Sequence, residues 1–376
     1  MERCINKLLL ITFGLVLFTC GFAQPQQTVT KTAPTNPDIF YEYRFALLDK
    51  KTPLELEYNA MVRGYIEKYT TVRKGDLAKV LGLAKLYFPI FEQYLDKYDL
   101  PLELKYLSVV ESGLNPLAKS SSGAVGLWQF LYHSAKMFDL EVDSYVDERR
   151  DVYKSTDAAC RYFRYLYQTF HDWNLVLAAY NGGPGVVRNA IERSGGKTNL
   201  WEILPYLPEP TQNYVPAFLA MNYLMTYPED FIIEHIAAPF TFENIDTVYV
   251  RYSTTLTQIA ENLPVSIEQL RFLNPVYKLD IIPETEKKQM LVLPSKEVAG
   301  FLSFENKILS TQVFDSFKNL KKLKVIYKVE KGDFLHKIAI IYNCNPAEIR
   351  SWNQMNSDYI SPGQSLIIWV VEKNHE

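Results

Sequence analysis

The chain has 376 residues, too many for one ordinary domain and enough for two or three. Apolar residues make up 48% and charged residues 22%, a balance that builds sizeable cores and excludes a disordered chain. A formal net charge of −3 argues against a nucleic-acid binder, which needs a basic excess, and four cysteines are too few for a disulfide scaffold. The 26 Tyr, 21 Phe and 5 Trp suit either stacking on sugars and bases or packing in cores and interfaces, and composition leaves that choice open.

Residues 1–23 predict a secretory signal. Arg3 and Lys7 precede an apolar run from Leu8 to Phe18, and Gly21 and Ala23 supply the small residues of a cleavage site. The run is too short for a comfortable transmembrane span. Cys20, after Leu17-Phe18-Thr19 and before Gly21, loosely resembles a lipoprotein signal, so cleavage after Ala23 and lipid attachment at Cys20 both stand. The mature chain is expected to be exported to the periplasm or cell envelope, and to be held at a membrane only if Cys20 carries lipid.

Residues 24–39, rich in Thr, Gln and Pro, read as a flexible linker. From 40 to 237 the pattern is helical. Val80, Ala84, Tyr87–Phe88, Phe91 and Leu95 recur at helical spacing, Pro101 opens a further helix, and Ala158, Tyr162, Tyr165 and Leu166 make another face. An apolar helix from Leu175 to Tyr180 meets the breaker Asn181-Gly182-Gly183-Pro184-Gly185, and Pro216 to Thr226 forms the last apolar helix.

After Pro239 short β-branched runs appear, and the chain repeats itself. Val250–Asn274 aligns without gaps on Val329–Asn353, a shift of 79 residues that pairs Leu256 with Leu335, Ile259 with Ile338, Arg271 with Arg350 and Asn274 with Asn353. Each copy predicts a strand, two helices and a closing strand, over 248–294 and 324–371, with the charged stretch 295–323 between them as a helix or loose linker. The expected fold class is therefore mainly α, a helical domain followed by two small βααβ modules. Cys160, Cys344 and the scattered His133, His171, His235, His336 and His375 do not cluster as three or four ligands would, so neither a metal nor another cofactor is expected.

The chemistry concentrates between residues 99 and 214. Leu104, Leu107 and Glu111 fall on one helical face, and the two leucines mark that face as buried. A carboxyl ending such a stripe loses hydration, so its pKa should rise toward the range of a general acid. A solvated Glu at a helix end is the alternative, and an isolated Glu-Ser-Gly favours it. Eighteen residues on, Gly126-Leu127-Trp128-Gln129-Phe130 sets small residues beside a Trp and a Gln, as if backbone approached a ligand that an amide could grip. Ala179-Tyr180-Asn181 then ends an apolar helix.

Together these segments resemble a known family. Glu-Ser-Gly-Leu-Asn-Pro, then Ser-x-x-Gly-Ala-x-Gly-Leu-Trp-Gln-Phe, then Ala-Tyr-Asn-x-Gly look like the successive motifs of the soluble-lytic-transglycosylase-like domain, which has the goose-type lysozyme fold. Val146-Asp147-Glu148-Arg149-Arg150-Asp151, Asp172-Trp173 and Leu207-Pro208 with Tyr214-Val215-Pro216 point to the membrane-bound lytic transglycosylase D type. The two repeats resemble LysM modules, the second more closely through Lys331-Gly332-Asp333 and Ile360-Ser361-Pro362-Gly363.

The resemblance implies cleavage of the β-1,4 bond between N-acetylmuramic acid and N-acetylglucosamine in peptidoglycan, leaving a 1,6-anhydro end, with no cofactor. It implies Glu111 as acid and then base, with Ser120, Gln129, Tyr180, Asn181 and Tyr214 lining the substrate. For Asn181 a plain helix-cap role stands beside that one. In the second module it implies a glycan groove at Gly332 and Asp333 and at Tyr359, Ile360, Pro362 and Gly363. The implied partner is peptidoglycan glycan strands, and a monomer is the expectation. Two features depart from the family pattern: Pro210 stands where a Glu is usual, and the first module has Ser253-Thr254 in place of Gly-Asp and Glu284 in place of the turn Gly, which puts its sugar binding in doubt. A water-adding muramidase and a non-catalytic wall-binding protein are the competing readings.

Overall fold

The computed structural model describes residues 37–371 apart from 251, 286–287, 312–321, 343 and 345; the signal segment and Cys20 lie outside the described residues. Helix α1 runs Pro37–Asp49, so residues 37–39, read above as linker, are the first turn of a helix. Its Phe45 ring stacks on Tyr223 at 5.5 Å and its Arg44 pairs with Asp230 at 2.9 Å, contacts that hold this helix to the body of the domain.

The helical domain continues through α2 (Ala60–Thr70), α3 (Lys74–Lys97), α4 (Tyr106–Ser112), α5 (Tyr132–Met137), α6 (Val152–Phe170), α7 (Trp173–Gly182), α8 (Pro184–Arg193), α9 (Leu200–Ile203) and α10 (Glu209–Thr226). Local chemistry sets these boundaries. Asp151 caps α6 by accepting from the Tyr153 and Lys154 amides, and Asp172 caps α7 by accepting from the Leu175 amide. The Gly-rich breaker is real, but the chain turns at Gly183 and re-enters a helix at Pro184, a residue suited to a first helical turn. α10 is buried from Tyr214 to Leu224 on all sides, as expected of a central helix, and packs on α2, α4 and α7.

The core is aromatic. Trp128, fully buried, lies between Phe91 and Phe163 at 5.0 and 5.8 Å and donates its indole N–H to Thr156 Oγ1 at 2.9 Å. Burying Trp with its one polar atom satisfied is a stable arrangement, and it makes this ring a core residue rather than a sugar platform.

Two βααβ units follow. The first has β1 (Ile245–Val250), β2 (Thr254–Thr255), α11 (Leu256–Asn262), α12 (Ile267–Leu273), β3 (Ile281–Ile282) and β4 (Gln289–Pro294), with β1 antiparallel to β4. After α13 (Val298–Thr311) come β5 (Lys322–Lys328), α14 (Leu335–Tyr342), α15 (Pro346–Trp352) and β6 (Ser365–Val371), with β5 antiparallel to β6. The repeat is physical as well as textual. Asn274 donates to the Leu270 and Val292 carbonyls and accepts from the Val292 amide, and Asn353 does the same with Ile349 and Ile367, all at 2.7–2.9 Å. In each copy one amide side chain thus ties the second helix to the closing strand.

Of the two readings of 295–323, the helix holds for Val298–Thr311. Phe301, on α13, is fully buried in one cluster with Val248, Leu256 and Leu291. A core this small gains much from one more buried ring, so α13 belongs to the first unit. No described helix is long and apolar enough to cross a membrane.

Candidate active site

Glu111 sits on the last turn of α4. The chain reaches it through a 3-10 turn, Leu102–Lys105, rather than one continuous α-helix, yet Leu104 and Leu107 are both fully buried, as their spacing requires. Gly113 and Leu114 then take left-handed backbone, with φ of 59° at each, and end the helix. Ser112 donates to the Ser108 carbonyl at 2.8 Å and the Leu127 carbonyl at 3.0 Å, which fixes this helix end against the 126–130 segment.

Glu111 lies half-buried at a cleft of about 580 Å³, lined also by Asn115, Lys119, Ser120 and Gln129. Burial pushes its carboxyl up to about 7, against the downward pull of a hydrogen bond from Tyr214 Oη to Oε1. Tyr214 comes from α10, 103 residues away in sequence. Its own hydroxyl is held well above the usual range by burial and by the nearby Glu111 carboxyl, so it stays a donor. Tyr180 is also raised by burial and by Glu111, and its hydroxyl donates to the Trp128 carbonyl at 2.8 Å.

The remaining sequence-predicted residues divide. Ser120 Oγ accepts from the Ala124 amide at 3.0 Å and shapes its loop. Gln129, at φ 50°, spends its amide N–H groups on the Ala118 and Gly126 carbonyls at 3.2 and 2.9 Å, leaving Oε1 as the atom suited to accept from a sugar hydroxyl or N–H. Asn181 is exposed inside the last turn of α7, accepts from Thr211 Oγ1 at 2.9 Å, and does not line the Glu111 cleft. Pro210 occupies the first turn of α10, where a missing amide N–H costs nothing.

Gly126 does approach backbone closely, but the backbone is the protein's own. A Cβ there would lie 1.8 Å from the Arg149 carbonyl oxygen. Arg149 is itself buried, pairs with Asp147 through Nε and Nη2 at 2.8 Å each, and donates to the Gly123 carbonyl at 3.2 Å. Against the upward push of burial, this guanidinium holds the Asp147 carboxyl below the ordinary range. These holders of the 118–130 loop were visible only as a charged motif. Tyr69, Arg73, Asp76 and Lys79, which also line the cleft, carried no motif at all.

In the second module, Gly332 (φ 92°) and Gly363 (φ 87°) take positions that favour glycine, and the Val329 backbone joins their loops by accepting from the Gly363 amide at 2.7 Å and donating to the Gln364 carbonyl at 2.8 Å. Asp333 faces inward. Its carboxylate accepts from Lys337, Tyr327 and the Glu330 amide, which hold it at about 2, so it shapes the loop rather than presenting itself to a ligand. Tyr359 is 81% exposed, and Ile360 and Pro362 lie on the same loop.

A test of the Glu111–Tyr214 contact follows from its sign. A donor to the carboxylate favours the charged form, so Tyr214→Phe should raise the Glu111 pKa. For a reaction needing the protonated acid, the wild-type rate should fall as pH rises through about 7. The variant's falling limb should lie at higher pH, and a pH–rate profile with an unmoved limb would separate the two residues.

Three family models match the chain: the transglycosylase SLT domain over residues 89–201, the LysM-like domain of lytic transglycosylase MltD over 244–310, and the LysM domain over 327–369. The membrane-bound lytic murein transglycosylase D of Escherichia coli (strain K12) is 28% identical over 341 residues, 86% of this chain and 72% of that protein. A putative tributyltin chloride resistance protein of Alteromonas sp. (strain M-1) is 38% identical over 115 residues, 30% of this chain and 55% of that one. The crystal structure of the 70 kDa soluble lytic transglycosylase SLT70 from Escherichia coli covers 40% of this chain and 26% of its own, at 28% identity and a TM-score of 0.33.

Proposed function

We propose that this chain, a lytic transglycosylase by its SLT domain and the LysM-like modules behind it, cleaves the muramyl β-1,4 bond of peptidoglycan with Glu111 as its one acid and base. The supporting observation is a carboxyl kept protonated near neutrality by burial, bonded by a tyrosine and facing an open cleft. A conventional glycosidase sets two carboxylates across the bond. Among the described residues the other carboxylate lining this cleft, Asp76, is paired with Arg73 at 2.8 Å.

In this reading neutral Glu111 protonates the leaving oxygen, and the substrate's acetamido oxygen stabilises the anomeric centre. The carboxylate then takes the proton of the C6 hydroxyl as that oxygen attacks. The attack is intramolecular and so gains the effective-molarity advantage of a tethered nucleophile. Ser120 and Gln129 hold the sugar, Tyr214 positions the acid and Tyr180 lies beside it, while Asn181 would meet the glycan only beyond the cleft. Digests of purified sacculi should therefore yield 1,6-anhydromuramyl ends, lighter by one water than hydrolytic ends on mass spectrometry. Predominantly reducing muramic ends would make the enzyme a hydrolase.

The second module is proposed as the wall anchor, through the loops at Gly332 and at Tyr359–Gly363. Deleting residues from 324 onward should weaken sedimentation with sacculi and spare most cleavage of short soluble glycans. Raised salt should matter little, because the loop residues Tyr359, Ile360 and Pro362 are uncharged. Undiminished sedimentation of the truncated chain would remove the anchor role. For localisation, the similarity to a membrane-bound relative fits an exported envelope enzyme, tethered if Cys20 carries lipid.

A further inference from the structure

The first LysM-like unit is not hung on a tether. Between α5 and α6 the chain makes a tight hairpin, in which Asp143 Oδ1 accepts from the Tyr145 and Val146 amides at 2.8 and 2.7 Å. The tip of that hairpin is stitched to the module. Val146 and Tyr277 form an antiparallel bridge, the Asp147 amide donates to the Val276 carbonyl at 3.0 Å, and the Lys278 amide donates to the Tyr145 carbonyl at 2.8 Å. Lys278 Nζ donates to the Asp143 carbonyl at 2.5 Å. The Val146 side chain, 3% exposed, is buried in the module's own core. A second seam is apolar: Leu273 and Val292 of the module are buried in the catalytic domain's core.

What the hairpin carries decides what this docking does. The residue after Val146 is Asp147, which grips Arg149. Arg149 holds the Gly123 carbonyl and presses its own carbonyl against Gly126, and the 118–130 loop so held carries Ser120 and Gln129 into the Glu111 cleft. The module meanwhile lacks the Gly-Asp pair that, in the second copy, organises the turn around Asp333.

We propose that the first LysM-like module is a positioning element of the active site, holding the substrate loop through Val146, Lys278 and the Asp147–Arg149 pair, and not a unit that captures glycan. The inference rests on the reading of Glu111's cleft as the catalytic site. Side chains placed by a supporting shell lose rate steeply when that shell loosens, about a hundredfold for a displacement near 1 Å.

The test uses the full chain. Val146→Asp and the double variant Val146→Asp with Lys278→Glu put charge into the seam, Val146→Ala is the milder form, and Val146→Ile conserves the contact. Hydrogen exchange at the Asp147 and Lys278 amides, whose acceptors lie across the seam, reports docking. The expected result is open amides, kcat/KM on short soluble glycans reduced about tenfold to a hundredfold, sacculus sedimentation unchanged, and wild-type behaviour for Val146→Ile. Amides that open with kcat/KM intact overturn the proposal. So does a loss confined to sedimentation, or amides that stay protected in every variant. Each rate is compared with wild type, so these outcomes are separate from failure of the Glu111 assignment, which Glu111→Gln alone decides.

Discussion

Glu111→Gln is expected to abolish cleavage, lowering the rate of sacculus clearing by at least about 10²–10⁴-fold, the span of a general acid–base residue's contribution. The upper end applies because in the proposed reaction one carboxyl has both jobs, protonating the leaving oxygen and then accepting the C6 hydroxyl proton. The fold should not change. With its carboxyl pushed to about 7, Glu111 is largely neutral at pH 6, and a neutral amide of the same shape replaces it without removing a buried charge. Gln also keeps an oxygen for the Tyr214 hydroxyl. Thermal melting near pH 4, where the Glu111 carboxyl is neutral both folded and unfolded, should therefore match wild type, and sacculus sedimentation should persist. Turbidity clearing near the wild-type rate would end the assignment of Glu111 as the acid.

The stability difference between the two proteins should instead appear at higher pH. A carboxyl whose folded pKa is raised favours the fold while protonated, and that contribution declines as pH rises from its unfolded value toward about 7. Glutamine cannot titrate, so Glu111→Gln should gain in relative melting temperature between about pH 4.5 and 7 and hold that gain above it.

How much of this was legible in the residues depends on range. The raised carboxyl was visible locally, because Leu104 and Leu107 define a buried face that Glu111 ends, whether the turn before it is α or 3-10. The Asn274/Asn353 correspondence was visible as a repeat, and its meaning as the tie between helix and closing strand followed only from hydrogen bonds to residues 14 to 18 positions on. Tyr214 stands 103 residues from its partner, beyond any periodicity, and the family motif alone pointed to it. Trp128 misled because an aromatic beside glycine has two physical meanings, and the one realised is a ring in the core with the glycine against Arg149. Phe301 on α13 was hidden in the same way, since a charged stretch with one stripe of apolar residues reads as linker until another core is found to receive it.

That second meaning of Gly126 carries the other large effect. Gly126→Ala adds one methyl to a residue at φ 92°, and its ideal position is 1.8 Å from the Arg149 carbonyl oxygen and 2.7 Å from the carbonyl carbon. Backbone cannot swing aside as a flexible side chain does, so either the 118–130 loop or the 147–151 segment must shift by more than an ångström. The strained backbone and the overpacking together should cost about 2–5 kcal/mol, a fall in melting temperature of roughly 5–15 °C for a domain of this size. Gly126 also accepts from Gln129 Nε2, and its amide donates to the Ala118 carbonyl at 3.0 Å, so any shift moves the side chain proposed to hold the sugar. The folded fraction should then lose activity on soluble glycans as well, by about 10²-fold for a misplacement of that size. Gly113 provides the control. It too has positive φ, at 59°, but a Cβ there meets nothing within 4 Å, so Gly113→Ala should cost only about 1–2 kcal/mol of left-handed strain. If the two alanine variants melt together, the contact with Arg149 is not what requires glycine at 126.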